Sequence, residues 1–244
     1  MLRKGDLTQG GIITTLLQFT LPMLAGSLLQ QCYNIADTLI VGQCIGANAL
    51  AAVGSAYTLM VFLISILLGL SMGSGTVFSL QYGAGDLSAL RRSIYVSLLL
   101  IGTVTILLNV AVFLWLDPIL RWLQVPYDIY SLMRNYLWII FWGIVFTFLY
   151  NFYAALLRAV GDSVTPLWFL AVSVVLNIGL DLFLILVLDQ GIEGAAVATV
   201  IAQGTAASGI LLYTYKTRPE LRLHREDMCF DRSSLREITS FSTL

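Results

Sequence analysis

Six long apolar stretches alternate with short polar or glycine-rich breaks, at about 12–41, 50–80, 93–116, 131–157, 167–188 and 192–215. Each holds at least ~20 residues, the length a helix needs to cross about 30 Å of hydrocarbon. Lipid cannot satisfy an open backbone N–H or C=O, so the pattern predicts an all-α membrane protein of six transmembrane helices. The breaks carry turn chemistry: small residues at 42–48, Gly83-Ala84-Gly85-Asp86, Arg158-Ala159-Val160-Gly161-Asp162 closed by Pro166, and Asp189-Gln190-Gly191. The longest loop holds Asp117-Pro118 and Gln124-Val125-Pro126, with Trp115, Trp122, Tyr127 and Tyr130 placed as an interfacial aromatic belt. Residues 120–123 in that loop are expected to form a short helix lying at the surface. Pro22 falls about three turns into the first stretch, where it removes a backbone hydrogen bond and is expected to kink the helix.

Composition agrees. Hydrophobic residues are 58% of the 244 and charged residues 11%, against roughly 45–50% and 25% in a soluble domain. The net charge of -1 conceals a segregation. With a cytoplasmic N-terminus, one side collects Arg3, Lys4, Arg91, Arg92, Arg158, Lys216, Arg218, Arg222, Arg225, Arg232 and Arg236, leaving Arg121 and Arg134 outside. That bias predicts a multi-pass protein of the cell (plasma or inner) membrane with both termini cytoplasmic. The first stretch is too long for a signal peptide and has no small-residue cleavage site.

The organisation expected is a six-helix lobe over 1–215, a cytoplasmic linker over 216–237 and the start of a seventh helix over 238–244. The last of these rests on Ile238-Thr239-Ser240-Phe241-Ser242-Thr243-Leu244, which resembles Leu16-Leu17-Gln18-Phe19-Thr20-Leu21. Parallel six-helix repeats are one transporter architecture, so a second lobe is expected to follow.

Chemistry concentrates on two intramembrane acids. Asp181 lies mid-stretch, four residues after Asn177 and therefore on the same helix face, and Asp37 follows Asn34 on the first stretch. An ionised Asp at the bilayer centre costs at least ~2.5 kcal/mol, so such acids usually line an internal path for ions or substrates. Two facing carboxylates repel when both are charged and tend to hold a proton, whereas Na+ would favour both charges. Spacings Gly69-x-x-x-Gly73 and Ser71-x-x-x-Gly75 predict close helix approach.

Other chemistries are excluded. Cys32, Cys44 and Cys229 show no metal-type spacing and suggest no disulfide, and the lone His224 lies in the polar tail. No phosphate-binding glycine loop and no Ser-His-Asp set argue for an enzyme, and neither a cofactor nor a nucleic-acid partner is implied.

Several ordered segments together resemble multidrug and toxic compound extrusion (MATE) transporters, of the bacterial branch linked to DNA-damage-inducible proteins. They are Pro22, the run Tyr33-Asn34-Ile35-Ala36-Asp37-Thr38-Leu39-Ile40-Val41-Gly42, and Ala49-Leu50-Ala51-Ala52-Val53-Gly54. Gln81-Tyr82-Gly83-Ala84-Gly85-Asp86, Leu157-Arg158-Ala159-Val160-Gly161-Asp162, Asn177 with Asp181, and Gly194-Ala195-Ala196-Val197-Ala198-Thr199 follow in order.

The resemblance implies one lobe of a twelve-helix antiporter that exports cationic or amphipathic compounds in exchange for H+ or Na+. It implies a coupling-ion site at Asp37, Asn177, Asp181 and Thr199, polar lining from Gln30, Tyr33, Asn34 and Asn151, and a hinge at Pro22. Organic cations, membrane lipid and a second six-helix lobe are the partners expected. Two alternatives stand beside it: a flippase for lipid-linked intermediates, for which basic residues inside the membrane cavity would be wanted, and a half that does not transport.

Overall fold

A computed structural model describes residues 12–224 together with Asp227, Ile238, Ser240 and Phe241, the side chains of 12–15 and 18 aside. Six long helices carry the fold: α1 (Ile12–Cys44), α2 (Ala47–Gly83), α3 (Leu87–Trp122), α4 (Tyr127–Ala159), α5 (Val164–Leu182) and α6 (Gly191–Thr217). Five of these, counting α5 with the π-helical turn Phe183–Val187 that extends it, are long and apolar enough to cross a membrane. The sixth, α1, has 33 residues, more than enough for the same span. The chain is a multi-pass membrane protein.

Five of the six helices outrun the stretches expected of them, and α5 starts earlier than expected but gives way to the π-helical turn at Phe183, because polar residues at the breaks serve as caps and not as loops. Asp86 accepts the Ala89 N–H at 2.9 Å and starts α3, after Gly85 has turned the chain at φ +76°. Asp162 does the same for α5, taking the Thr165 N–H at 3.0 Å and its hydroxyl at 2.8 Å, after Gly161 at φ +87°. In both turns a residue without Cβ takes the left-handed conformation and a carboxylate satisfies a helix N-terminus.

The expected surface helix at 120–123 does not exist as a separate element. Helix α3 bends at Trp115 (φ −112°, ψ 16°) and resumes through Pro118 to Trp122, with Leu120 buried among residues of α2 and α4. Pro118 stands near the start of that second piece, where a missing N–H costs little. Trp122 and Tyr127 are 85% and 99% exposed, as a belt requires, but Tyr130 is turned inward and donates to Asp117 at 2.9 Å. Asp117 also receives Arg134 at 2.8 Å.

Helix α4 is central, packed against α6, α2 and α3, while α5 lies between α6 and α1. Small residues set the spacing. A Cβ on Gly143 would stand 2.9 Å from Val200 of α6, one on Gly209 2.6 Å from Phe169 of α5, and one on Gly75 3.5 Å from Ala155 of α4. Of the small-residue motif on α2, Ser71 is buried and Gly75 meets a neighbouring helix, whereas Gly69 faces open space. Two apolar clusters fill the bundle, one about Leu120, Met133, Leu137 and Phe141 and one about Phe78, Leu90, Phe152 and Leu156.

The described basic residues separate along the bundle. Arg91, Arg92, Arg158, Lys216, Arg218 and Arg222 stand at the end where α3 and α5 begin and α4 and α6 finish, with Arg121 and Arg134 toward the other. After α6, Leu221 is buried in the second cluster, and Asp227 accepts Arg91 at 2.9 Å and the His224 N–H at 3.0 Å. Ile238 is buried against Val77 and Val96. Of the expected linker and seventh-helix start, residues 225, 226, 228–237, 239 and 242–244, Cys229 among them, lie outside the described residues.

Candidate ion-coupling site

Side chains from three helices meet inside the bundle, in the part nearer the ends of α1 and α5 and the start of α6. Helix α5 brings Asn177 and Asp181, both 0% exposed; α1 brings Asp37 at 7% and Tyr33 at 8%; α6 brings Thr199 at 4%. The Thr199 hydroxyl joins them. It accepts the Tyr33 hydroxyl at 3.3 Å and an Asn177 Nδ2–H at 3.4 Å. The two carboxyls lie close enough to act on one another directly, and the buried phenol of Tyr136 on α4 lies within their field.

The inventory of acceptors is unusual for a protein interior. Asp37 Oδ1, Asn177 Oδ1, Asp181 Oδ1 and Asp181 Oδ2 are all buried, and apart from the contact of the two carboxyls with each other no donor of the described residues reaches them. An unmatched buried acceptor costs about 1–3 kcal/mol and more when charged, and native interiors hold few. None of the described arginines or lysines makes an ion pair with either acid. Such oxygens, gathered from three side chains, suit a small hard cation or a shared proton.

The sequence pattern puts Asn34 on the face of Asp37; the structure gives that place to Tyr33. Residues four apart on a helix differ by about 40° and residues three apart by about 60° in the opposite sense. The rotation of α1 buries the first pair, so Asn34 stays half-exposed with Nδ2 3.5 Å from Gln31 Oε1. Gln30 is exposed. Asn151 on α4 donates to the Thr147 carbonyl at 2.8 Å, beside a Thr147 to Gln203 bond of 2.6 Å, and belongs to that α4–α6 contact. Pro22 lies within the continuous α1.

Two features are not apparent from the sequence pattern. In sequence Tyr136 is one more aromatic near the start of an apolar stretch, and nothing in the pattern marks it. The other is the π-helical turn Phe183–Val187, directly after Asp181, closed by Leu188 N–H to Phe183 O at 3.2 Å. Such turns insert one residue into a helix and recur at functional sites.

Comparison with known proteins gives this arrangement a family. The MatE family model matches residues 22–183. A probable multidrug resistance protein of Bacillus subtilis, YpnP, is 37% identical over 211 residues, covering 86% of this chain and 47% of the relative. The multidrug export protein MepA of Staphylococcus aureus is 31% identical over 213 residues, covering 84% and 46%. The chain thus spans about half the length of the curated relatives it matches. A solved structure of a MOP superfamily transporter from Pyrococcus furiosus shares the fold over all of this chain and 54% of its own, with TM-score 0.91 and 23% identity. With these matches, and with its buried acids carried by the matched segment, the chain belongs to the MatE family.

Proposed function

We propose that the chain forms the first lobe of a secondary antiporter that exports cationic or amphipathic compounds in exchange for H+ or Na+. Asp37, Asn177, Asp181 and Thr199 serve as the coupling-ion site. The observation that carries this reading is the set of four buried oxygen acceptors that, the two carboxyls' contact with each other aside, no donor reaches. Oxygen donors fit Na+, and the same carboxylates take protons. Either cation relieves the repulsion between the acids, so the two compete, which is the condition for exchange. The names of the curated relatives, multidrug resistance and multidrug export proteins, support the class of cargo.

Alternating access in parallel-repeat transporters uses two lobes rocking about a site between them, so export requires a second six-helix lobe. Within this lobe, α1 carries Tyr33 and Asp37 at one part and Pro22 at another. Protonation changes the attraction between α1 and α5, and a helix already lacking one backbone bond at Pro22 bends at the smallest cost. Pro22→Ala should favour one conformation, read as a loss of the pH dependence of thiol labelling at Cys32.

A flippase for an anionic lipid intermediate would want a basic residue beside the site, and the acids are unpaired. The decisive experiment couples residues 1–244 with a separately expressed second lobe in liposomes under an imposed Na+ or H+ gradient. Export of an organic cation that follows either gradient is expected. Export independent of both gradients would overturn the antiporter, and absence of export despite assembly of both lobes would favour a half that does not transport.

A further inference from the structure

Among the partly buried arginines of the described residues, Arg158 stands apart. Arg91 pairs with Asp227, Arg134 with Asp117 and Arg218 with Asp162 and Glu220, while Arg222 donates to the Tyr215 carbonyl at 2.8 Å and lies 4.5 Å over its ring. The Arg158 side chain makes neither a hydrogen bond nor an ion pair among the described residues, although it is partly buried. The titratable group facing it is the Tyr150 phenol, whose proton is committed to the Pro166 carbonyl at 3.0 Å. The nearby carboxylate of the same turn, Asp162, is committed to Thr165 and Arg218. A guanidinium carries five N–H donors, and leaving them dry and unpaired is costly.

Its position says what pairs with it. Arg158 closes α4 at the end of the bundle where the basic residues collect, and across the turn α5 begins with Val164 and Trp168, 47% and 68% exposed. An arginine in the last turn of a spanning helix, at the end of the bundle where an indole of the next helix is exposed, sits at headgroup depth, where guanidinium and phosphate match in charge and bidentate geometry. We propose that Arg158 is a lipid site, holding the phosphate of an anionic phospholipid in the leaflet on the basic side of the bundle. This is independent of the ion-coupling reading, since Arg158 lies a full helix end away from the acids.

The test uses the full chain in neutral detergent, as wild type, R158K, R158Q and R92Q. Each is titrated with phosphatidylglycerol, phosphatidylcholine or inorganic phosphate while its melting temperature is followed. For wild type and R92Q, phosphatidylglycerol should raise the melting temperature by about 5 °C more than phosphatidylcholine at hundredfold excess over Kd. R158K should keep part of that difference and R158Q should lose it. Inorganic phosphate alone should do nothing. An equal phosphatidylglycerol effect in R158Q, or its loss in R92Q, would reduce the effect to general surface charge and overturn the site. Stabilisation by inorganic phosphate in the absence of lipid would overturn the lipid as its source. Should R158Q not fold, the wild-type comparison still decides, because no preference for phosphatidylglycerol over phosphatidylcholine sinks the proposal.

Discussion

Asp37 and Asp181, inside the bundle, have only each other at Asp37 Oδ1 and the two oxygens of Asp181, whereas Asp86, Asp162 and Asp227 at one end of the bundle all have donors from other residues. Asp86 caps α3, Asp162 caps α5 and takes Arg218, and Asp227 takes the His224 N–H and the Arg91 guanidinium. The same side chain thus serves two ends. A satisfied carboxylate holds backbone in place, and its removal strands the donors that pointed at it. An unsatisfied one in low dielectric stabilises nothing until a cation arrives, so its removal should cost function and spare the fold.

The contrast breaks most sharply at Asp181. Asp181→Asn keeps the volume and removes the charge, and gradient-driven exchange by the assembled lobes should vanish while the melting temperature of the lobe holds or rises. Exchange at the wild-type rate, or a fall in melting temperature like that of a lost cap, would mean that the two kinds of aspartate are not distinct. Asp37→Asn should lower exchange without abolishing it, since Asn177 and Asp181 still supply three of the four buried oxygens. Sodium-binding isotherms should weaken in the order wild type, Asp37→Asn, Asp181→Asn, and identical isotherms would place the site elsewhere.

Packing separates fold from site in a third way. Gly143→Val should destabilise the lobe by about 1–3 kcal/mol through overpacking against Val200. Gly54→Ala, with no atom within 4 Å of the new Cβ, should leave it unchanged or slightly firmer. Equal melting temperatures for the two variants would show that α4 and α6 can separate freely.

The smallest effect belongs to the contact of Asp227 with Arg91. Burial pushes the Asp227 carboxyl upward, but the His224 N–H, the charge and hydrogen bond of Arg91 and the His224 ring together hold it below the usual carboxylate range. With the folded value below the unfolded one, this contribution to stability is complete above about pH 4 and drains as pH falls through the folded value. Arg91→Gln should lower stability near neutrality by about 1 kcal/mol and move the acid-side decline to higher pH. A denaturation profile over pH 2–7 checks the sign, and an unshifted decline would break the assignment.

Part of the site is legible in the residues themselves. Asn177 and Asp181 are four apart in an apolar stretch, and helix geometry alone puts them on one face. Their meeting with Asp37 is expected of two acids needing the same enclosure, and the structure brings them together. Thr199 enters through the family resemblance and proves to be the hydroxyl linking α1 to α5. Asn34, Gln30 and Asn151, expected as polar lining, make no hydrogen bond to the acids. Helices apolar on nearly every face give a weak rotational signal, so a polar residue within a turn of the right one looks equally well placed.

Residue pattern alone decided that this chain forms six spanning helices, that α2 and α4 are followed by glycine-aspartate turns, and that most of its cations gather at one end, because hydrocarbon thickness and capping chemistry act over a few neighbouring residues. Which faces meet was decided by the tertiary structure. The rotation of α1 selects Tyr33 over Asn34, the arrival of α4 adds Tyr136, and the bend at Trp115 carries Leu120 into the core. The extra residue of the π-helical turn falls just past Asp181. Helix approach at Gly143, Gly75 and Gly209 is of the same kind, and such contacts join residues too far apart in the chain for any local pattern to encode.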